Sequence, residues 1–370
     1  MKRPQLKSVP VVKTDTGVLV YRRAHERVEL EDPDGSISQL LHLLTDGRPI
    51  TQVAARMQEQ GFSWSADDVV AAVEVLNGLA LVHEAGTRDS LPRPVQTRQA
   101  SNLHFFDLFS DLDRSAADFQ RDIAASHVLL LGAGGAGSGI LQALVGAGVG
   151  SIRIVDEDTV EEKNLARQFC YGEHSIGLPK VDAATEWARA YSHSTCVEGI
   201  NQRITTVHQI LKLAAGTDIV ILAIDSPSDI QLLVNAACQE LGVPFVTGGL
   251  QQSTLFYWSV DPGGSACRMC LELHRQANLE GRDHPLQSRL VFQPDLVNRG
   301  TGPVAQILSG LMSLEALRYI SQYELPVAAA TYHWISLAES MSVHSERWTN
   351  HPACPYCPRA AVLSAPMGTP

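Results

Sequence analysis

The chain has 370 residues, too many for one typical domain and enough for two, with 45% hydrophobic and 19% charged residues. A net charge of −11 opposes any general attraction to nucleic acid or an anionic membrane surface. No apolar run approaches the roughly 20 residues of a membrane span. The opening MKRPQLKSVPVVKTD has no apolar core of signal-peptide length, so a cytoplasmic protein is expected.

Residues 1–90 read as a small separate module. VPVVK, GVLVY and RVELE are short strand-like runs with TDTG turning between the first two. Three helical stretches follow. SISQLLHLL stops at Asp46-Gly47, TQVAARMQEQ starts at a capping Thr51 and stops at Gly61, and SADDVVAAVEVLNGL opens on Ser65 with an acid three positions on. LALVHE closes the module as a strand, and the whole suggests a winged-helix-like α+β domain. Pro92 and Pro94 mark a linker over 91–100. The second domain is expected over 101–370, with strand–helix alternation from about residue 126. HVLLLG, SIRIVD, DIVILAID and PFVTGG are continuous apolar runs, as in a parallel sheet buried on both faces. TLFYWSV, YHWISLA and SVHSERW are further strands, around a polar loop at 274–302 and the helix VAQILSGLMSLEALRYI. The expected fold is a Rossmann-like, mostly parallel α/β sheet preceded by the small module.

Gly132-x-Gly134-x-x-Gly137 follows the first of these apolar strands and opens a helix. That spacing cradles phosphate in NAD- and ATP-binding proteins alike. The strand SIRIVD ends at Asp156, where an acid accepts hydrogen bonds from ribose hydroxyls. Asn164, Arg167, Gln168 and Lys180 come soon after. A dehydrogenase has no need of that cationic cluster. A triphosphate being cleaved does, because fixed cations stabilise charge moving onto the leaving pyrophosphate. Asp225 ends the strand DIVILAID at the carboxyl edge, where a lone carboxylate suits Mg²⁺.

Cys267-x-x-Cys270 and Cys354-x-x-Cys357 are two knuckles that suit a closed, structural, tetrahedral Zn²⁺ in the C-terminal region. Cys170, Cys196 and Cys238 read as buried small hydrophobes.

As a set, Gly132-x-Gly134-Gly135-x-Gly137-Ser138, Asp156-x-Asp158, Asn164-Leu165-x-Arg167-Gln168, Lys180 and Asp225 resemble the E1-like adenylating family, the ThiF, MoeB and ubiquitin-activating group. The resemblance implies that Asp156 holds the ribose, that Asn164, Arg167 and Lys180 hold phosphates, and that Asp225 holds Mg²⁺. A Cys₄ zinc is usual there too. Family members often carry Arg-x-x-Arg before the first strand, its second arginine reaching the partner subunit's ATP. In RQASNLHFF, Arg98 fits the first arginine and Ser101 stands where the second would be. A homodimer with Arg98 near the partner's nucleotide is implied.

The front module carries 10 Lys/Arg against 13 Asp/Glu, a balance that opposes DNA binding. It resembles the PqqD-like recognition element of ribosomal-peptide biosynthesis, in which a leader peptide adds a strand to a sheet edge. GVLVYRR and RVELE are the expected edge region and the helix Ala66–Leu79 the groove wall, with Arg22, Arg23 and Arg27 available to acidic leader residues. The combination is similar to the stand-alone activating enzymes of microcin C and pantocin type. It implies ATP-dependent adenylation of a precursor-peptide carboxylate, with a downstream modifying enzyme as a further partner. The alternative is a non-catalytic, leader-binding scaffold that presents the precursor to a partner cyclodehydratase. Activation of a small sulfur-carrier protein is a third reading, which leaves residues 1–90 without a task.

Overall fold

The computed structural model describes residues 2–280 and 300–357. Most of the polar loop expected over 274–302 therefore lies outside the described residues. The chain divides into two compact units, Met1–Asp122 and Ile123–Pro370.

The first unit runs β1 (Pro4–Leu6), β2 (Val11–Lys13), β3 (Gly17–Arg23), β4 (Glu26–Glu31), α1 (Ser36–Leu44), α2 (Ile50–Glu59), α3 (Ala66–Gly78), β5 (Val82–Glu84), α4 (Arg93–Arg98) and α5 (Ala100–Asp107). α6 (Ala116–Ala125) spans the division. Two small sheets form. β1 pairs antiparallel with β5, and β2-β3-β4 make a three-stranded antiparallel meander. GVLVYRR is thus the middle strand; the free edges belong to β2 and β4. The third helix starts as its sequence indicates. The Ser65 Oγ accepts from the Asp68 amide at 3.2 Å while Asp68 accepts from the Ser65 amide at 2.8 Å. Thr51 does not cap α2, because Pro49 already occupies that position and Thr51 falls in the first turn. α1 has no side-chain cap at Gly35; Asp32 instead accepts from the amides of Ile37 and Ser38 at 2.8 and 3.0 Å and from the Ser38 hydroxyl. LALVHE is strand only over its last three residues, because the chain turns at Ala80, φ +57°. Leu40, Leu44, Met57, Val69, Leu76 and Leu81 form the core. Leu112 joins it, and its amide donates to Asn77 Oδ1 at 3.0 Å. Residues 91–112, assigned from sequence to a linker and the following domain, therefore include two helices and a contribution to this first core.

The second unit runs β6 (His127–Leu131), α7 (Gly135–Ala147), β7 (Ser151–Asp156), α8 (Lys180–Tyr191), β8 (Cys196–Asn201), α9 (Val207–Ala214), β9 (Ile219–Leu222), α10 (Ile230–Leu241), β10 (Phe245–Gln251), β11 (Thr254–Val260), α11 (Arg268–Glu280), α12 (Gly302–Ser321), β12 (Thr331–Ser336) and β13 (Ser342–Arg347). Its eight strands form one sheet in the order β13-β12-β11-β10-β9-β6-β7-β8, parallel from β10 to β8 and antiparallel from β10 to β13. β6 and β9 are neighbours whose crossovers leave in opposite directions, so the sheet's switch point lies between them, where open α/β sheets bind ligands. β8 escapes the sequence pattern because it is an edge strand, exposed at Cys196, Glu198 and Gly199. α12 lies close against α7. A Cβ on Gly139 would come within 2.4 Å of Ser309 Oγ, which donates to the Ala136 carbonyl at 2.9 Å.

Candidate active site

The glycine turn is built by mutual exclusion. Gly132 has φ +114°, and a Cβ there would lie 2.5 Å from the Ala223 carbonyl oxygen. A Cβ on Gly137 would lie 2.0 Å from the Gly132 oxygen. Gly134 differs, since a Cβ on it would meet no atom within 4 Å. Two glycines hold the turn shut while the middle one faces open space at the start of α7, whose first-turn amides point outward.

That space is a cleft of about 720 Å³ at the switch point. Gly134, Gly135, Asp156, Asp158, Asn164, Arg167, Gln168, Lys180 and Asp225 line it together. Asp156, largely buried at the end of β7, is tied on both oxygens. It accepts from the Ala133 amide at 2.7 Å and from the Asp158 amide at 2.9 Å. The strand end and the glycine turn are thereby locked to one another. Lys180 begins α8, and its buried side chain donates to Asp158 at 2.6 Å. Asn164 is buried and accepts from the Glu161 amide at 3.0 Å. Arg167 donates to the Lys163 carbonyl at 3.1 Å, and its stem lies over Gly135, where a Cβ would be 3.7 Å from Arg167 Cδ. Gln168 is 2% exposed, and its Oε1 has no hydrogen-bond partner among the described residues. Asp225 follows β9, and burial pushes its carboxyl above the usual range.

Four residues singled out from sequence lie elsewhere. Gly132 and Gly137 shape the turn without lining the cleft, and the buried Ser138 hydroxyl donates to the Gly135 carbonyl at 3.3 Å within α7. Arg98 ends α4 in the first unit. Sequence reasoning missed Gln202 and Arg203, which line the cleft just after β8. The carboxyl-edge rule that found Asp225 would have found them had β8 been recognised. It also missed Gly248, where a Cβ would lie 2.6 Å from the Phe256 carbonyl oxygen and 3.0 Å from Leu308.

The four knuckle cysteines gather. Cys267 lies 3.9 Å from Cys270 and 3.5 Å from Cys354, Cys270 lies 3.6 Å from Cys357, and all four sulfurs fall within 4.8 Å of one another. A tetrahedron with Zn–S bonds of about 2.3 Å has edges of about 3.8 Å. The cluster could bind zinc. The Trp348 indole donates to the Cys267 carbonyl at 3.1 Å, fastening the chain after β13 to this corner. Cys170 is buried, and burial raises its thiol to about 12. Cys238 is buried and its thiol is pushed up likewise. Cys196, expected to be buried, is exposed on the edge strand.

Arg22 is engaged by Glu26 at 2.6 Å and Arg27 is exposed; the Arg23 side chain lies outside the described residues.

Fold and cleft define a doubly wound α/β protein with a phosphate-type glycine turn at its switch point and a cysteine cluster beyond its antiparallel arm. The chain belongs to the ThiF family, which matches residues 49–356. It is 32% identical over 163 residues to the SAMP-activating enzyme E1 of Haloferax volcanii, covering 43% of this chain and 58% of that one. To the molybdopterin-synthase adenylyltransferase of Salmonella typhimurium it is 27% identical over 64% of this chain and 89% of that one. The match to the sulfur carrier protein ThiS adenylyltransferase of Bacillus subtilis spans only 45% of that relative. Among solved structures, Escherichia coli MccB superposes with a TM-score of 0.76 at 18% identity, over 96% of this chain and 97% of that one. MccB structures with ATP and with its MccA peptide match similarly, at TM-scores of 0.75. No helix among the described residues is long and apolar enough to cross a membrane.

Proposed function

We propose that the protein is an ATP-dependent adenylyltransferase that activates a carboxylate of a ribosomally made precursor peptide, bound by its leader to residues 1–90. The observation that carries this reading is the convergence of Asn164, Arg167, Lys180 and Asp225 on one cleft with the glycine turn. Adenylyltransferases are prominent among the named relatives. Those relatives act, by their names, on sulfur carriers and molybdopterin synthase. The likeness to MccB favours a peptide, because it extends over 96% of the chain and so includes the front unit. A peptide strand would add to the edge of β4 or β2.

A carboxylate is ionised at neutral pH and needs no general base. Its oxygen bonds to the α-phosphorus, the bond from that phosphorus to the bridging oxygen breaks, and pyrophosphate leaves with the electron pair. What remains is an acyl-AMP. The chain's part is positioning and charge. The α7 amides at Gly134–Gly135 face the phosphates, and Lys180, fixed by Asp158, and Arg167 meet the leaving charge. Asp156 holds the ribose with its remaining lone pairs, and Gln168 and Asn164 supply neutral polar contacts. Asp225 would hold Mg²⁺, which when bound neutralises phosphate charge. A homodimer completes the site through Arg98. Its support is the apolar surface left exposed in the second unit at Phe169, Ile176, Ile307 and Leu314. The reading is tested by precursor-dependent exchange of labelled pyrophosphate into ATP.

A further inference from the structure

A second cavity, of about 760 Å³, lies beyond the nucleotide cleft. Its floor is the aromatic face of the antiparallel arm. In the strand register Phe256 stands opposite Trp334, and both side chains are on the face that carries Tyr332. Phe256 and Tyr332 stack at 5.4 Å between ring centroids, and Tyr332 and Trp334 sit 5.9 Å apart. All three rings are only part-buried, so ring surface is turned to the cavity. α11 supplies the wall, and Arg275 places its guanidinium 6.0 Å from the Tyr332 ring centroid.

The two cavities meet at one residue. Gln252 lines both. It is the first residue of the two-residue turn joining β10 to β11, and it has φ +56°, a conformation that favours glycine. β10 leads from the cleft at Gly248 and Gly249 to this turn, so a chain whose carboxylate lies in the cleft can pass the turn into the second cavity.

We propose that this cavity is a subsite for an aromatic side chain of the acyl substrate, N-terminal to the carboxylate that reacts; the assignment rests on the peptide-adenylation reading. A ring entering the cavity can pack on the exposed faces and edges of this cluster with centroids about 4.5–7 Å apart, and a guanidinium at the rim adds attraction to its π-face. Glu346, directly across from Tyr332 in the register, lines the same cavity and offsets part of the attraction that Arg275 and Arg347 would exert on an acidic side chain.

Two measurements test the subsite. In the first, N-acetyl-L-phenylalaninamide is titrated against the full chain and followed by saturation-transfer NMR, with the alanine and aspartate amides as controls. Saturable binding of the phenylalanine probe alone is expected, weakened about tenfold in Trp334→Ala and in Arg275→Ala. Arg275 is exposed on a helix, so its variant carries the test should Trp334→Ala fail to fold. In the second, peptide free acids with one phenylalanine walked through the residues before the C-terminus are compared with alanine parents in pyrophosphate exchange. One position should lower KM about tenfold at unchanged kcat, and the advantage should vanish in both variants. Probe binding lost in the variants, with no peptide supporting exchange, removes adenylation and keeps the subsite. Exchange without an aromatic preference, and without probe binding, removes the subsite and keeps adenylation. Preference for the aspartate probe overturns the subsite as described.

Discussion

Two glycines of one turn should fail in different ways when each receives a single methyl group. At Gly137 the new Cβ would lie 2.0 Å from the Gly132 oxygen and 2.6 Å from its carbonyl carbon. These are backbone atoms, so either the turn or α7 must shift. Overpacking of this kind costs about 1–3 kcal/mol. In a unit of this size each kcal/mol lowers Tm by roughly 2–4 °C, so Gly137→Ala should melt several degrees early. At Gly134 the Cβ meets nothing within 4 Å, and the residue already has φ −78°, open to alanine. Gly134→Ala should therefore keep its Tm. Its methyl would nonetheless point into the cleft, where the reading places phosphate. The same penalty of about 1–3 kcal/mol then falls on the ligand alone and weakens ATP by about 5- to 150-fold. Differential scanning fluorimetry and calorimetric ATP titration measure the two effects. If Gly134→Ala binds ATP as the wild type does, phosphate does not cross this turn and the assignment of the cleft is wrong.

Three further outcomes are expected. Cys270→Ser should lower zinc content and thermal stability together, because binding free energy at such a site is partly folding free energy; native protein without zinc by elemental analysis would remove the site. Burial works to raise the Asp32 carboxyl, but the Ser38 hydroxyl and the Ile37 and Ser38 amides override it and hold it below the ordinary value. Its contribution is therefore present above the unfolded value of about 3.9 and lost as pH falls through the folded one. Asp32→Ala should cost about 1 kcal/mol at pH 7, read by urea unfolding, with the gap to wild type closing in acid below that range; an equal gap in acid would refute the capping role. Light scattering should show a dimer at micromolar concentration, and a monomer would refute the placement of Arg98 at a partner's nucleotide.

The parts of the fold that sequence made legible are those set by local, one-dimensional rules. β6, β7, β9 and β10 are continuous apolar runs because the sheet centre is covered on both faces. The glycine spacing and the cysteine knuckles are equally local. What stayed hidden depends on partners distant in the chain. β1 and β5 are three residues each and exist through one another. Leu112 belongs to the front core through Asn77 and its apolar neighbours, which no composition shift announces. β3 became the middle strand only because β2 pairs with it on the far side. In the cleft, Gln202 and Arg203 were invisible because the exposed strand that delivers them lacks an apolar run.

The central claim is tested most directly by pyrophosphate exchange in the wild type and in Lys180→Ala and Asp225→Ala. With ATP, Mg²⁺ and precursor peptide, the wild type should incorporate labelled pyrophosphate into ATP, and should not do so without the peptide. Each variant should lose about a hundredfold in rate, the loss of roughly 3 kcal/mol of transition-state charge stabilisation. Both should hold the leader with unchanged affinity. A wild type that binds the leader tightly, never binds ATP–Mg²⁺ and shows no exchange would contradict the account and leave a leader-binding scaffold in its place.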